Sequence, residues 1–126
     1  MKVVIFCCAA CGLPVTGPLV WLEDRVLLSV KAETDYIPGG HYVRGGDDYL
    51  YDAVGQYLIN RREARNIRPH PDYSRRQGCC GLDGCDGRNV VCANGHEVGT
   101  ERSDCWLAHS VALDPSLVTP IPAGSV

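Results

Sequence analysis

No stretch of this chain approaches the 18 or more consecutive apolar residues of a membrane-spanning helix, so no such anchor is expected. Nor is there an excess of positive charge. Twelve Lys and Arg stand against 15 Asp and Glu, and a net charge of -3 speaks against a dedicated nucleic-acid binder. Low-complexity segments are missing, and there is no internal repeat beyond two similar cysteine-bearing turns. Several catalytic signatures are also missing. His96-Glu97-Val98-Gly99-Thr100 lacks the second His of a zinc-protease helix, which leaves Glu97 as a hairpin surface carboxylate. The deaminase pattern, His-x-Glu followed by Pro-Cys-x-x-Cys, does not occur in order. Asp83-Gly84 and Asp86-Gly87 suggest turns but not the twelve-residue calcium loop, and Gly39-Gly40 and Gly45-Gly46 follow no strand-loop-helix context of the kind that cradles phosphate. No Cys, His and Asn or Asp set stands in the order of a known thiol catalyst, and Cys7 is the one spare thiol next to the candidate ligands.

What is abundant is cysteine, eight in 126 residues, together with 14 Gly and 8 Pro. A chain of this length supports one domain with a modest core, and the Gly and Pro predict many turns held by local staples. Eight cysteines mean either disulfides in an oxidising compartment or thiolate ligands in a reducing one. Met1-Lys2 and the apolar and small residues up to Cys11 have the outline of a lipoprotein signal. A single Lys, a short apolar run and Cys8 at a position where such a signal prefers Leu argue against it. The expectation is a cytoplasmic protein with reduced cysteines.

Residues 3–6 read as a strand and residues 19–22 as its return, a hairpin with cysteines at its tip. Residues 25–30 read as a further strand. From 48 to about 66, Leu50, Ala53, Val54, Tyr57 and Leu58 recur at helical spacing. Asp47 and Asp48 at the start and Arg61, Arg62 and Arg65 near the end suit the dipole of an amphipathic helix. Asn89 to Cys92 and Glu97 to Thr100 read as a second hairpin, and Val111, Ala112 and Leu113 as a final strand or short helix. The expected organisation is one metal-binding domain over residues 1–114 and a Pro-rich irregular tail over 115–126.

Cys8-x-x-Cys11-Gly12 places two thiolates on a tight turn, with a Gly free to take positive φ. Cys92-x-x-x-His96, with Gly95 inside it, offers a thiolate and an imidazole from a comparable turn. Together they supply a Cys3His set. Over residues 3–16 and 89–100 the chain resembles the zinc-ribbon group, in which two such knuckles clamp one zinc. It departs from that group in having His96 as the fourth ligand and in separating the knuckles widely. The resemblance implies Zn as cofactor and an α+β fold: a small zinc-stabilised domain of two knuckle-bearing β hairpins packed with one amphipathic helix. A second zinc site could be built from Cys80, Cys85, Cys105 and His109. Alternatively Cys79, Cys80 or Cys105 could complete the first site in place of His96. The stretch from Gly78 to Trp106 is also similar to one in small bacterial Cys-rich proteins, which implies no particular activity.

Arg61, Arg62, Arg65 and Arg68, followed by Arg75 and Arg76, form a local basic run with His70 and Tyr73 interleaved. Such a face can grip phosphates, or it can simply complement a helix terminus. Asp104 and its neighbours Glu101 and Arg102 read as a solvated charged loop. Three functions remain. The first is a non-catalytic protein-interaction module with structural zinc, the second a nucleic-acid-binding ribbon using the arginine face, and the third a zinc-dependent hydrolase. A protein partner is expected first and nucleic acid second.

Overall fold

β-Branched and aromatic residues fill the short apolar runs, and in a computed structural model, which describes residues 2–46 and 53–125, most of these runs are strands. Among the described residues there are nine: β1 (Val3–Cys8), β2 (Leu19–Trp21), β3 (His41–Arg44), β4 (Tyr57–Ile59), β5 (Ile67–Pro69), β6 (Val90–Cys92), β7 (Glu97–Arg102), β8 (Ser110–Leu113) and β9 (Val118–Pro122). They form one sheet in the order β5-β6-β7-β8-β4-β3-β2-β1-β9, curled into a half-barrel. All pairs are antiparallel except β2 with β3, where Val20 lies opposite His41. A parallel pair needs a crossover, and the chain between β2 and β3 supplies it.

Alternation along the central strands sends neighbouring residues to opposite faces. Ile59, Val111 and Leu113 enter the core inside the curl with Val4, Phe6, Val90 and Val98. Leu58 and Ala112, one residue out of step, join Leu22, Tyr36, Ile37 and Val43 on the other face. The crossover covers that second face and is tied to it where Tyr36 N donates to His109 O (2.9 Å) and His109 N to Thr34 O (2.7 Å). Phe6 sits fully buried at the centre of the inner core, its ring 4.6 Å from that of Tyr57 and 5.2 Å from that of Tyr42.

The curl brings the β1–β2 connection against the segment after β4. Gly17 N donates to Glu63 O (3.0 Å), Arg65 N to Val15 O (2.8 Å) and Asn66 Nδ2 to Pro14 O (2.8 Å). Ala93 N then donates to Asn66 O (2.8 Å), which links the same seam to the β6–β7 turn.

The expected α+β fold is therefore corrected: no α-helix occurs among the described residues, and the fold is almost entirely β. Leu50 of the supposed stripe, with Asp47 and Asp48, lies outside the described residues. Ala53 is buried but Val54 is exposed, and Gly55 turns the chain at φ +81°. Tyr57–Ile59 then pairs with β3 on one side and β8 on the other, so its backbone bonds go to neighbours rather than along a helix. A short apolar run buried on both faces and a buried helix segment have the same periodicity over so few residues. Arg61–Glu63 is one 3-10 turn capped by Asn60, whose side chain accepts from Arg62 N. Arg25–Leu27 is likewise a 3-10 turn rather than part of a strand.

The 115–126 segment also differs from the expected irregular tail. Val118–Pro122 is β9, registered against β1 from Cys8 opposite Val118 to Val4 opposite Pro122. Pro120 and Pro122 are tolerated because β9 is an edge strand, where a missing N–H costs no ladder bond on the open side. The proposed domain boundary at 114 thus falls between two strands of the same sheet.

Phe6→Ala should lower the unfolding free energy by about 3–5 kcal/mol, the usual cost of emptying a packed aromatic site. A urea denaturation curve with unchanged m-value checks it.

Candidate metal centre

The two cysteine turns are similar, the second one residue tighter than the first. At the end of β1, Cys8 N donates to Leu13 O (2.8 Å) and Gly12 N to Cys8 O (2.7 Å), with Gly12 at φ +76°. Between β6 and β7, Cys92 N donates to His96 O (2.8 Å) and Gly95 N to Cys92 O (2.8 Å), with Gly95 at φ +89°. Each turn aims backbone N–H groups at its sulfurs. Those of Cys11 and Ala10 face Cys8, that of Leu13 faces Cys11, and those of His96 and Asn94 face Cys92. Such donors favour a thiolate.

Cys8 and Cys92 are the last residues of β1 and β6, and both are buried. The curl of the sheet brings them together with Cys11 and His96, so that one ligand atom from each lies within 4.8 Å of all the others. Cys11 Sγ is 3.8 Å from Cys92 Sγ, and His96 Nδ1 is 3.4 Å from Cys92 Sγ. The Asn94 side chain, with Nδ2 3.4 Å from Cys11 Sγ, and the Leu13 N–H draw the Cys11 thiol down to about 6. Burial pushes the Cys8 thiol up. Burial also works against Cys92, but the His96 and Asn94 N–H groups and the His96 ring outweigh it and leave that thiol below its ordinary value. The neighbouring Cys92 and Cys11 sulfurs raise His96. These four residues can hold a metal ion.

A second group, Cys79, Cys80 and Cys105, also has its three sulfurs within 4.8 Å of one another, close enough to hold a metal ion. Beneath it lies Asp104, which is buried rather than part of a solvated loop. Its Oδ1 accepts from the backbone N–H of Cys80 (2.7 Å), Cys105 (2.8 Å) and Gly81 (3.2 Å). Its Oδ2 accepts from Cys79 N (2.9 Å) and from Trp106 Nε1 (3.0 Å). One carboxylate therefore satisfies three backbone donors of a loop that has no ladder to join, and a fourth, Cys105 N, from the β7–β8 connection. The Cys80 N–H leads in holding the Asp104 carboxyl far below the usual range, with those of Cys79 and Cys105 and the Trp106 indole adding to it. The loop also passes so close to the β7–β8 connection that a Cβ on Gly81 would overlap the Ser103 carbonyl. The Cys80 sulfur and, behind it, burial and Asp104 push the Cys105 thiol up to about 12.

Of the second set expected from sequence, the structure brings Cys80 and Cys105 together, with Cys79 rather than Cys85 or His109 as third member. His109 points elsewhere, its Nε2 3.0 Å from Asp104 O and its Nδ1 3.1 Å from Arg61. Cys85 N is turned to Asp83 Oδ1 (2.9 Å). Cys7, out of step with Cys8 on β1, is buried away from the cluster, and burial raises its thiol.

The arginines do not form one helix face. Arg62 is paired with Asp35 (3.1 Å) and Arg65 with Glu63 (4.0 Å), while Arg68 is exposed on β5. Glu97 is a hub, meeting His70 Nε2 (2.8 Å) and Arg75 (3.2 Å) through Oε2 and Arg88 (3.0 Å) through Oε1. His70 first, then the arginines, lower its carboxyl, which leaves a bound anion rather than a base.

Sequence reasoning missed the roles of Asp104 and Glu97. The only available signal was indirect: a loop rich in Gly and Cys must find acceptors for its N–H groups somewhere, and an Asp next to Cys105 is a short-range candidate.

No protein-family model, no curated protein and no solved structure matches this chain.

A carboxylate whose folded-state pKa is depressed contributes stability above its unfolded value of about 3.9, and that contribution is lost as pH falls through the folded value. Asp104→Asn places an amide donor among N–H donors. It should lower Tm at neutral pH and blunt the loss of stability that the unaltered protein shows below pH about 4. Thermal melts of both proteins over an acid pH series read this out.

Proposed function

We propose that the protein is a zinc-binding, non-catalytic interaction module whose structural zinc is held by Cys8, Cys11, Cys92 and His96. The observation that carries the reading is the convergence of two similar N–H-lined turns on one ligand set. The distances suit zinc. At a Zn–S length of about 2.3 Å, two sulfurs of a tetrahedron lie about 3.8 Å apart, and the Cys11 and Cys92 sulfurs stand at 3.8 Å. Three thiolates and an imidazole are a soft-to-borderline set that favours zinc over calcium or magnesium. The depressed Cys11 and Cys92 thiols suit ligands that bind as thiolates.

Four protein ligands close the coordination sphere, and a catalytic zinc needs an open position. Glu97, the nearest carboxylate in sequence, is committed to His70, Arg75 and Arg88. Both points favour a structural metal over a hydrolytic one. The interaction reading rests on an apolar surface along the start of the crossover, where Trp21, Val26, Leu27 and Val30 are exposed. A cytoplasmic setting suits eight cysteines kept as thiols.

Protein purified without added metal should carry one zinc per chain by elemental analysis. Cys11→Ser and Cys92→Ser should each lose that zinc and lower Tm sharply, whereas Cys7→Ser should keep it. Cobalt substitution should give the sulfur-to-metal charge-transfer bands of a Cys3His site. Loss of metal from Cys7→Ser alone would overturn the ligand assignment. A separate check addresses the partner: Val26→Ser with Leu27→Ser should keep zinc content and Tm but release any protein that co-purifies with the unaltered chain.

A further inference from the structure

The two cysteine groups differ in one distance. Cys80 Sγ lies 2.8 Å from Cys105 Sγ, the first donating its S–H to the second. Two sulfurs on one zinc stand about 3.8 Å apart, and those of a disulfide about 2.0 Å. The first cluster has the separation of a metal edge. The Cys80–Cys105 pair lies roughly 1 Å inside that edge and within a small side-chain rotation of a covalent bond.

Their backbones are fixed by a common acceptor. Cys80 N and Cys105 N both end on Asp104 Oδ1, at 2.7 and 2.8 Å. Two amides on one oxygen hold the two residues side by side, and Asp104 is itself buried and bonded by Cys79 N and the Trp106 indole. Cys80 is exposed and Cys105 half-buried, so a small solute reaches the pair directly. Of the three cysteines at the first cluster, Cys8 and Cys92 are buried and Cys11 alone is exposed, where the proposed zinc would occupy its sulfur.

We propose that Cys80 and Cys105 form an oxidative modification site, a dithiol that hydroperoxides convert to a reversible intramolecular disulfide. The exposed Cys80 loses its proton and its thiolate attacks a peroxide oxygen. The O–O bond breaks, hydroxide leaves and takes up a proton as water, and Cys80 becomes a sulfenic acid. Cys105 sulfur then attacks Cys80 sulfur, the S–O bond breaks and the S–S bond forms. The leaving oxygen takes the Cys105 proton as a second water. Two thiols and one hydrogen peroxide give one disulfide and two waters, and a small-molecule dithiol reverses the change by exchange. The bond ties the loop after Gly78 to the β7–β8 connection.

The test uses the reduced, zinc-loaded full chain and one equivalent of hydrogen peroxide, followed by alkylation of the remaining thiols and peptide mapping with fragment-ion assignment. The expected result is a single Cys80–Cys105 disulfide, loss of two of the eight thiols, unchanged zinc content, and full recovery with dithiothreitol. Cys80→Ser and Cys105→Ser should abolish it, while Cys79→Ser and Cys85→Ser should not. The mapping is done on the unaltered chain, so it stands even where a variant folds poorly. Oxidation that begins at Cys8, Cys11 or Cys92 with release of zinc would overturn the proposal. So would a disulfide mapped to Cys79 with Cys80, cross-linking only between chains, or a second zinc per chain that protects Cys79, Cys80 and Cys105. Zinc content is read independently, so failure here and failure of the zinc assignment are told apart.

Discussion

The curl of the sheet is the constraint on which the rest depends, because it makes neighbours of β1 and β6, between which five strands intervene in the sheet order. The inner core is shared by side chains from both ends of that order, Val4 and Phe6 from one and Val90 and Cys92 from the other. The Pro14–Gly17 segment is stitched to the chain between Glu63 and Asn66 by backbone and Asn66 side-chain bonds. A flat sheet of the same strands would leave Cys8 and Cys92 far apart, since adjacent strands are about 4.8 Å from one another. Hydrophobic burial inside the curl and the ligand cluster at its rim are thus two results of one geometry.

A metal at that rim would tie together two turns that follow β1 and β6, strands far apart in the sheet order. The two turns it joins are short, and each holds its Gly in the left-handed region. Apparent binding free energies for structural zinc are about 10–16 kcal/mol at neutral pH, comparable with the entire net stability of a typical domain, about 5–15 kcal/mol. With the proposed zinc bound, closure of the half-barrel would be coupled to metal affinity, and the apolar surface carried by the crossover would be presented on a fixed frame.

The glycine-rich loop after Tyr73–Arg75 is supported differently. It makes no ladder, and its donors converge on one buried carboxylate, Asp104, so the loop position is set by charge-assisted hydrogen bonds rather than by apolar packing. The two cysteine groups follow from these two modes of support. One is held at the spacing of a metal edge by converging turns. The other is held closer than that by a shared anion.

The sequence by itself determined the local features. Short runs of β-branched residues marked β1, β6 and β7, and the Cys-x-x-Cys-Gly and Cys-x-x-x-His turns were legible because tight turns need Gly at defined positions. Tertiary structure decided everything that depends on distant partners. Tyr57–Ile59 is a strand because β3 and β8 flank it, although its spacing also fits a helix. Val118–Pro122 is a strand because β1 offers an edge that tolerates proline on its far side. Asp104 and Glu97 became buried or bridging anions, and Cys79 rather than Cys85 or His109 joined Cys80 and Cys105. The physical reason is the same in each case: hydrogen-bond partners and ligand neighbours are set by how the sheet curls in space, and local spacing carries no record of that curl.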